Sequence, residues 1–458
     1  MDIIHADAIK SNHYTDILII GAGSAGCVAA LSAAQSSYSV TLVERYGFAG
    51  GTSTQMLDTF YGFFTPGQNP RKIVGGWPDR VVNRLALTGD IFLRSNTYGA
   101  GTGVNYNAER LKLVWDQLFI ATNVNIFYHT VLVDVQITGH VIKAIFFNKG
   151  GGFISITCHR VIDASGDADY CHLAGLPYEK AGEHEPAQSM TTTFRMANVD
   201  LPQFHAAGGN LMLKEKMTVA VNEQTYPLPR RNGSAHEMCQ PNCISTVAVK
   251  VTGLDPGKLK ELSAAEQEGR RQAFIYEDFF RAEVPGFQQA KIIGLSHQIG
   301  IRETRRVYGW HRLTKEECIS AKRPADRIFL CGAPIEDHRD GTGSTDETYW
   351  EYIQGDGIYG VPYLTLVPRD SQQTWVIGRC FSATHDAHAS CRSMAQTMSM
   401  GQAAGLAAAW SLQFDRDARH VDVPVLQDIL LQQGAILDPP NHLADTSRGG
   451  WKNNLVTE

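Results

Sequence analysis

No apolar run in the 458 residues reaches the ~20 that a helix needs to cross a bilayer. The first sixteen residues, MDIIHADAIKSNHYTD, are polar and acidic, without the basic and apolar regions of a signal peptide. The expected location is therefore the cytoplasm. Basic charge is not in surplus: 41 Lys and Arg stand against 47 Asp and Glu, a net charge of −6, and the basic residues are scattered. Nucleic acid and anionic membranes both ask for a basic face, so neither is an expected partner. The same balance disfavours a tRNA-modifying role. Cysteines are few and odd in number, nine in all, with one close pair at Cys239 and Cys243. A metal site would need two more ligands, and His236 is the only near candidate, so reduced thiols and no metal are expected.

What is present is an ordinary globular composition, 43% hydrophobic and 19% charged. The length suits two or three domains, or one fold with long insertions. Asp16-Ile-Leu-Ile-Ile20 reads as a buried strand ending in glycine, 22–35 as a tightly packed helix, and Ser39–Glu44 as a second strand. That is a β-α-β unit, the builder of parallel sheets. Residues 104–120 read as helix, 125–149 as two or three β-rich runs, and 153–163 as another. From 185 to 370 the texture changes to polar loops, Pro and Gly, with a helical stretch near 263–283. Residues 374–378 read as a return to the sheet, followed by a long helix over roughly 390–412 and another over 423–434.

Gly21-Ala22-Gly23-Ser24-Ala25-Gly26 lies between the first strand and the first helix. A lone GxGxxG is weak, but here strand, helix and an acidic residue are in register. Gly21 allows the tight turn, Gly23 lets the backbone approach a pyrophosphate, and Gly26 lets the helix sit close on the strand. The helix start, at Ser24 and Ala25, offers free N–H groups to phosphates. Glu44 ends the second strand, eighteen residues after Gly26, where a carboxylate can accept from ribose hydroxyls. No adjacent cysteine pair stands beside this motif, so a disulfide-reductase mechanism has no support.

Three later segments favour FAD over NAD: Gly47-Phe48-Ala49-Gly50-Gly51-Thr52, Val161-Ile162-Asp163-Ala164-Ser165-Gly166-Asp167, and Val376-Ile377-Gly378-Arg379 before the Met/Ala/Gly helix. With DILIIGAGSAGCVAA, TLVERYGFAGGTST, VIDASGDADYCHLAG, IGIRETRRVYGWHRLT, GAPIEDH, VPYLTLVP and VIGRCFSATHDAHASCRSMAQTMSMGQAAGLAAA, the chain resembles FAD-dependent oxidoreductases of the glutathione-reductase-like superfamily, in a fumarate-reductase-like branch. The resemblance runs nearly end to end. It implies FAD contacts at Gly21, Gly23, Gly26, Glu44, Arg45, Gly50, Gly51, Ser165, Gly166, Asp167, Gly378, Arg379 and from Met394 to Gly401. Ser165 stands where such proteins often carry Thr, which keeps the hydroxyl.

A flavin carries the redox chemistry itself, so the chain must place a C–H bond, handle a proton and stabilise charge. His338, in Pro-Ile-Glu-Asp-His, matches a histidine typical of the family and is the first choice for the proton. The alternative is a loop histidine bonded to Glu336 or Asp337. Of His385 and His388, one is expected near the ring and the other in a structural role, and His311 is expected to be structural. Tyr349 and Tyr363 could exchange a proton with a substrate, although packing is the usual fate of tyrosine. Arg302, Arg305 and Arg306 read either as a carboxylate clamp or as salt bridges with Glu303 and nearby acids, and the second is preferred. Arg392 reads equally as a charge near the flavin or as a surface arginine. Gly401 and Gly405, four apart, are best explained by close packing.

The expectation is an α/β fold: a Rossmann-like FAD-binding domain over 15–184 and 371–437, an inserted α+β substrate domain over 185–370, and tails at 1–14 and 447–458. The expected function is hydride transfer between a small-molecule substrate and flavin N5. Two alternatives stand beside it, a redox-neutral isomerase, hydratase or lyase, and a non-catalytic flavin-binding subunit. A homo-oligomer stays open, dimers being the commonest soluble assembly.

Overall fold

The computed structural model describes residues 6–96, 99–338 and 348–439. At its centre is a five-stranded sheet, in the order Thr374–Val376, Arg160–Asp163, Ile17–Ile20, Val40–Val43, Asn125–Phe127. Every neighbouring pair is parallel. Ile17–Ile20 is four apolar residues without alternation because both faces of the strand are covered. The helix Ser24–Ala33 follows it and is buried along all ten residues. The whole is an α/β fold built on a Rossmann-like parallel sheet.

The long helix Met394–Gln413 lies against Ser24–Ala33, and small residues set the distance. A Cβ on Gly401 would sit 2.2 Å from the Ala25 carbonyl oxygen, and one on Gly405 would sit 2.3 Å from that of Ala29. The two helices are in backbone contact, which any larger residue would prevent. The expected helix over 390–412 is in fact two, His385–Cys391 and Met394–Gln413, parted at Arg392 and Ser393.

The opposite face of the parallel sheet is covered by a second sheet, in the order Ile9–Tyr14, Gly152–Cys158, Val141–Asn148, Thr130–Thr138. Leu18, Ile20, Val43, Phe146, Ile154 and Val376 share the core between the two. This corrects two expectations. Residues 9–14, expected as tail, form a strand parallel to Gly152–Cys158. The apolar run 153–163 is two strands in two different sheets, broken at His159. Residues 1–5 and 447–458 lie outside the described residues.

A separate core gathers residues between Met190 and Ile299, with Ile301 packed against it. The helix Leu259–Glu283 supplies Tyr276, Phe279 and Phe280 to this core, which also takes in residues of an antiparallel sheet of Ser234–Glu237, Ile244–Val247, Phe194–Ala197 and Lys291–Leu295. The rest of the stretch 185–370 packs elsewhere: Leu313, Phe329, Leu330, Tyr359 and Tyr363 belong to the main core with the parallel sheet. No helix among the described residues is long and apolar enough to cross a membrane.

Candidate active site

A cavity of about 1320 Å³ opens at the carboxyl end of the central strand and continues to the inserted core. Small-ligand sites usually measure ~300–1,000 Å³, so this one has room for a dinucleotide and a second molecule. One end is walled by Gly21, Gly23, Ser24, Ala25, Glu44, Arg45, Gly51, Thr52, Ser165, Gly166, Gly378 and Arg379. Gly21 has φ +97°, which glycine tolerates and other residues do not, and its Cβ would meet the Ala164 carbonyl oxygen at 2.5 Å. At Gly23 a Cβ would meet no atom within 4 Å; it would occupy the cavity instead. The helix that starts here leaves its first-turn N–H groups without helical partners, a ready anion cradle.

Glu44 is buried and its two oxygens accept from the N–H groups of Ala22, at 2.8 Å, and Tyr46, at 2.9 Å. Burial raises its pKa, against the pull of those two donors. It thus ties the glycine turn to the second strand, and each oxygen keeps a lone pair for a ribose hydroxyl. The adjacent glycines divide: Gly51 lines the cavity and Gly50 does not. Gly50 donates to the Ala22 carbonyl at 2.7 Å. A Cβ on Gly51 would strike the Gly23 Cα at 2.8 Å, so the pair lets one turn lie on the other.

Three other expected contacts lie behind the wall. Asp167 does not line the cavity; it pairs with Arg379 at 2.6 Å and Arg45 at 3.8 Å, and both guanidiniums do line it. Burial opposes its charge, but the two arginines hold its pKa below the usual carboxylate value. Gly401 and Gly26 also face away, into helix packing and the strand turn. Ser165 lines the cavity and gives its hydroxyl proton to the buried Asp163, at 2.7 Å. Met394 lines the cavity from the start of the long helix.

Of the five expected proton carriers, His338 alone reaches the cavity. Its Nε2 lies 3.0 Å from Glu336 Oε1 and its Nδ1 lies 3.0 Å from Thr348 Oγ1. Burial, then the charge of Arg302, pushes His338 down to about 3. Burial opposes the charge of Glu336, but the bond from His338 and the charges of Arg392 and Arg302 push it down to about 2. The pair is therefore neutral imidazole and carboxylate, with Nε2–H donating to Glu336 and Nδ1 accepting from Thr348.

The remaining four are corrected by their surroundings. His388 is fully buried, donates from Nε2 to the Arg379 carbonyl at 2.8 Å, and is pushed by burial to about 3. His385 is buried between two carboxylates, with Nδ1 3.1 Å from Glu303 and Nε2 3.0 Å from Asp337. Burial lowers its pKa, but the bonds to Asp337 and Glu303 outweigh that and raise it to about 10. Asp337, His385 and Asp386 bring ligand atoms within 4.8 Å of one another; with both nitrogens engaged, the His385 ring is an ion-pair centre. Tyr363 is fully buried, donating to the Ala418 carbonyl and accepting from Trp375 Nε1. Tyr349 is exposed and bonds to Glu351.

The arginine run divides. Arg305 and Arg306 form the expected salt bridges, the latter buried among Glu179, Glu185 and Glu303. Arg302 instead lines the cavity, as do Arg392, Arg94, Arg230, His236 and Trp350. No single spacing in the sequence joins these residues, which come from segments spread between Arg94 and Arg392. His311 pairs with Glu317 at 3.0 Å, a structural role. All nine cysteines are free, with Cys243 buried and Cys239 half-buried.

The family model described as FAD dependent oxidoreductase matches residues 16–430. No curated protein matches the chain. Among solved structures, a geranylgeranyl bacteriochlorophyll reductase-like protein from Thermoplasma acidophilum is 10% identical, over 93% of this chain and 85% of its own, with a TM-score of 0.45. A p-nitrophenol 4-monooxygenase from Pseudomonas putida is 10% identical, over 97% of this chain and 93% of its own, with a TM-score of 0.46. A flavoprotein/dehydrogenase from Cytophaga hutchinsonii is 12% identical, over 92% and 86%, with a TM-score of 0.41.

Proposed function

Because the chain belongs to the FAD dependent oxidoreductase family, we propose that it moves a hydride between a small organic substrate and the flavin, as a dehydrogenase or reductase. The observation that carries this reading is the continuity of the cavity: the glycine-walled cradle passes into a chamber faced by Glu336, His338, Arg302 and Arg392. Bound FAD supplies the two-electron couple. The chain's own residues do the rest. Ser24, Ala25, Arg45 and Arg379, which line the cavity, would hold the anionic part of the cofactor. Glu336 fixes the His338 tautomer, so that the Nδ1 lone pair is the one available for a substrate proton once Thr348 Oγ1 gives way. Asn210, Lys214 and Val247, from the same stretch of chain as the separate core, also line the cavity.

The test is anaerobic. The purified holoprotein is mixed in turn with small organic metabolites while the visible flavin band is followed, and the dithionite-reduced protein is tested for reoxidation by the same set. Bleaching or reoxidation by one of them is expected. Substrate turnover with no change in flavin oxidation state, and no oxidant consumed, would replace this reading with the redox-neutral one.

A further inference from the structure

Two guanidinium groups face the chamber with no described carboxylate in ion-pair contact, and Glu336 acts on them only at longer range. Arg302 Nη1 donates to the backbone carbonyl of Ser189. Arg392 Nη2 donates to Gln188 Oε1 at 3.2 Å and to the backbone carbonyl of Glu336 at 3.0 Å, while its buried Nε has no partner. These acceptors are all neutral. Neither arginine has an ion pair within 4.0 Å among the described residues, although Arg305, Arg306 and Arg379 nearby each have one. Of the described acids that line the cavity, Glu44, Asp169, Glu237 and Glu336, the last already takes the bond from His338. Asp337, next to it, faces away and is answered by His385. Burial, and then Arg392, pushes Arg302 down to about 9, so it keeps its charge at neutral pH. Charges of one sign are costly to bury together, and a guanidinium fork matches a carboxylate with two parallel bonds.

We propose that Arg302 and Arg392 are the subsite for an anionic group of the substrate, so that the enzyme works on organic acids rather than on neutral alcohols or amines. The inference rests on the chamber being the substrate's. It has a consequence for His338, whose basicity is held down by burial and then by Arg302. An anion on Arg302 cancels part of that field, and the imidazole then becomes a better proton acceptor. The base is weak in the free enzyme and strengthens with an acidic substrate in place; a neutral analogue of the same shape leaves it weak.

The holoprotein is titrated with acetate, benzoate and inorganic phosphate, and with the neutral amides acetamide and benzamide, while the flavin visible band is followed. The carboxylates are expected to perturb the band saturably and the amides not to. Phosphate binding more tightly than either carboxylate would assign the same subsite to a phosphate ester. The Arg392→Gln and Arg302→Gln proteins are expected to bind benzoate about ten- to a hundredfold more weakly, each having lost a charged donor, with FAD content unchanged. Should either variant lose FAD, Arg392→Lys and Arg302→Lys keep the charge and are expected to hold benzoate more tightly than the Gln forms. Equal binding of benzoate and benzamide, or undiminished benzoate affinity in both Gln variants, overturns the proposal. Anion binding when no small molecule, acidic or neutral, bleaches or reoxidises the flavin leaves the subsite standing and removes the hydride reading. Bleaching by a neutral substrate, with no anion bound, does the reverse.

Discussion

A histidine with both ring nitrogens engaged becomes a base only when one partner yields. At His338 the weaker tie is Thr348, a neutral hydroxyl, and the stronger is the ionised Glu336. His338→Gln can keep a bond on each side but cannot take a proton. Turnover is expected to fall about 10²- to 10⁴-fold, with FAD content unchanged, as followed by the rate of flavin bleaching. A rate within a few-fold of the parent would move the proton to another group. Tyr363 gives the opposite case. Its hydroxyl joins Trp375 Nε1 to the Ala418 carbonyl inside the core. Tyr363→Phe leaves two buried polar groups unpaired, at a cost of ~1–3 kcal/mol. Its expected signature is a lower melting temperature with normal turnover. The sequence put His338 first and gave Tyr363 packing as its usual fate; what separates them in the structure is burial against the cavity or against the main core, and burial is a long-range property.

At the level of elements, the contact between Ser24–Ala33 and Met394–Gln413 controls the cradle, because Ala25 both lines the cavity and receives Gly401. Gly401→Ala would push a methyl into the Ala25 carbonyl and force the helices apart. A loss of ~1–3 kcal/mol is expected in a thermal or urea melt, with weaker FAD retention; an unchanged melt would show that the helices separate freely. The local signals here were readable in advance. The strand, glycine turn, helix and Glu44 lie within thirty residues, and their spacing states the unit. Other features were not readable. The helix break at Arg392 and Ser393 has no Pro or Gly to announce it, and it is what turns Arg392 toward the chamber. The end of the separate core near Ile301 was hidden because 305–370 carries many polar loops, while its apolar residues, such as Phe329 and Tyr359, pack with the main core far back in sequence. Glu336 and Arg302 flank inward-facing acids, Asp337 and Glu303, and that alternation shows only when His385 is seen between the two.

For the whole molecule, the buried histidines set how stability varies with pH. An unfolded histidine titrates near ~6.5. His338, His388 and His236 stay neutral in the fold down to about 3, the last through burial and then Arg94. Between those values the unfolded chain binds more protons, so stability falls as pH drops below ~6.5. Asp169, pushed up to about 6 by burial and then by Asp167, works against this, as do Glu44, Asp58 and Asp163, which burial also raises, but the Asp169 side chain is 41% exposed and the three histidines start from a higher unfolded value. His385 acts in the other direction. It holds its proton in the fold up to about 10, so its contribution is complete below ~6.5 and is lost as pH rises through about 10. Melting temperature is therefore expected to peak near neutrality and to fall on both sides, with the acid slope beginning above the carboxylate range. His385→Gln removes the cation between the buried Glu303 and Asp337, so at pH 7 it is expected to cost ~3–5 kcal/mol. Its alkaline slope should also be flatter than that of the parent, because the group that loses its proton there is gone. A variant that melts lower but keeps the full alkaline slope would show that His385 is neutral in the fold, with the proton on one of the two carboxylates instead.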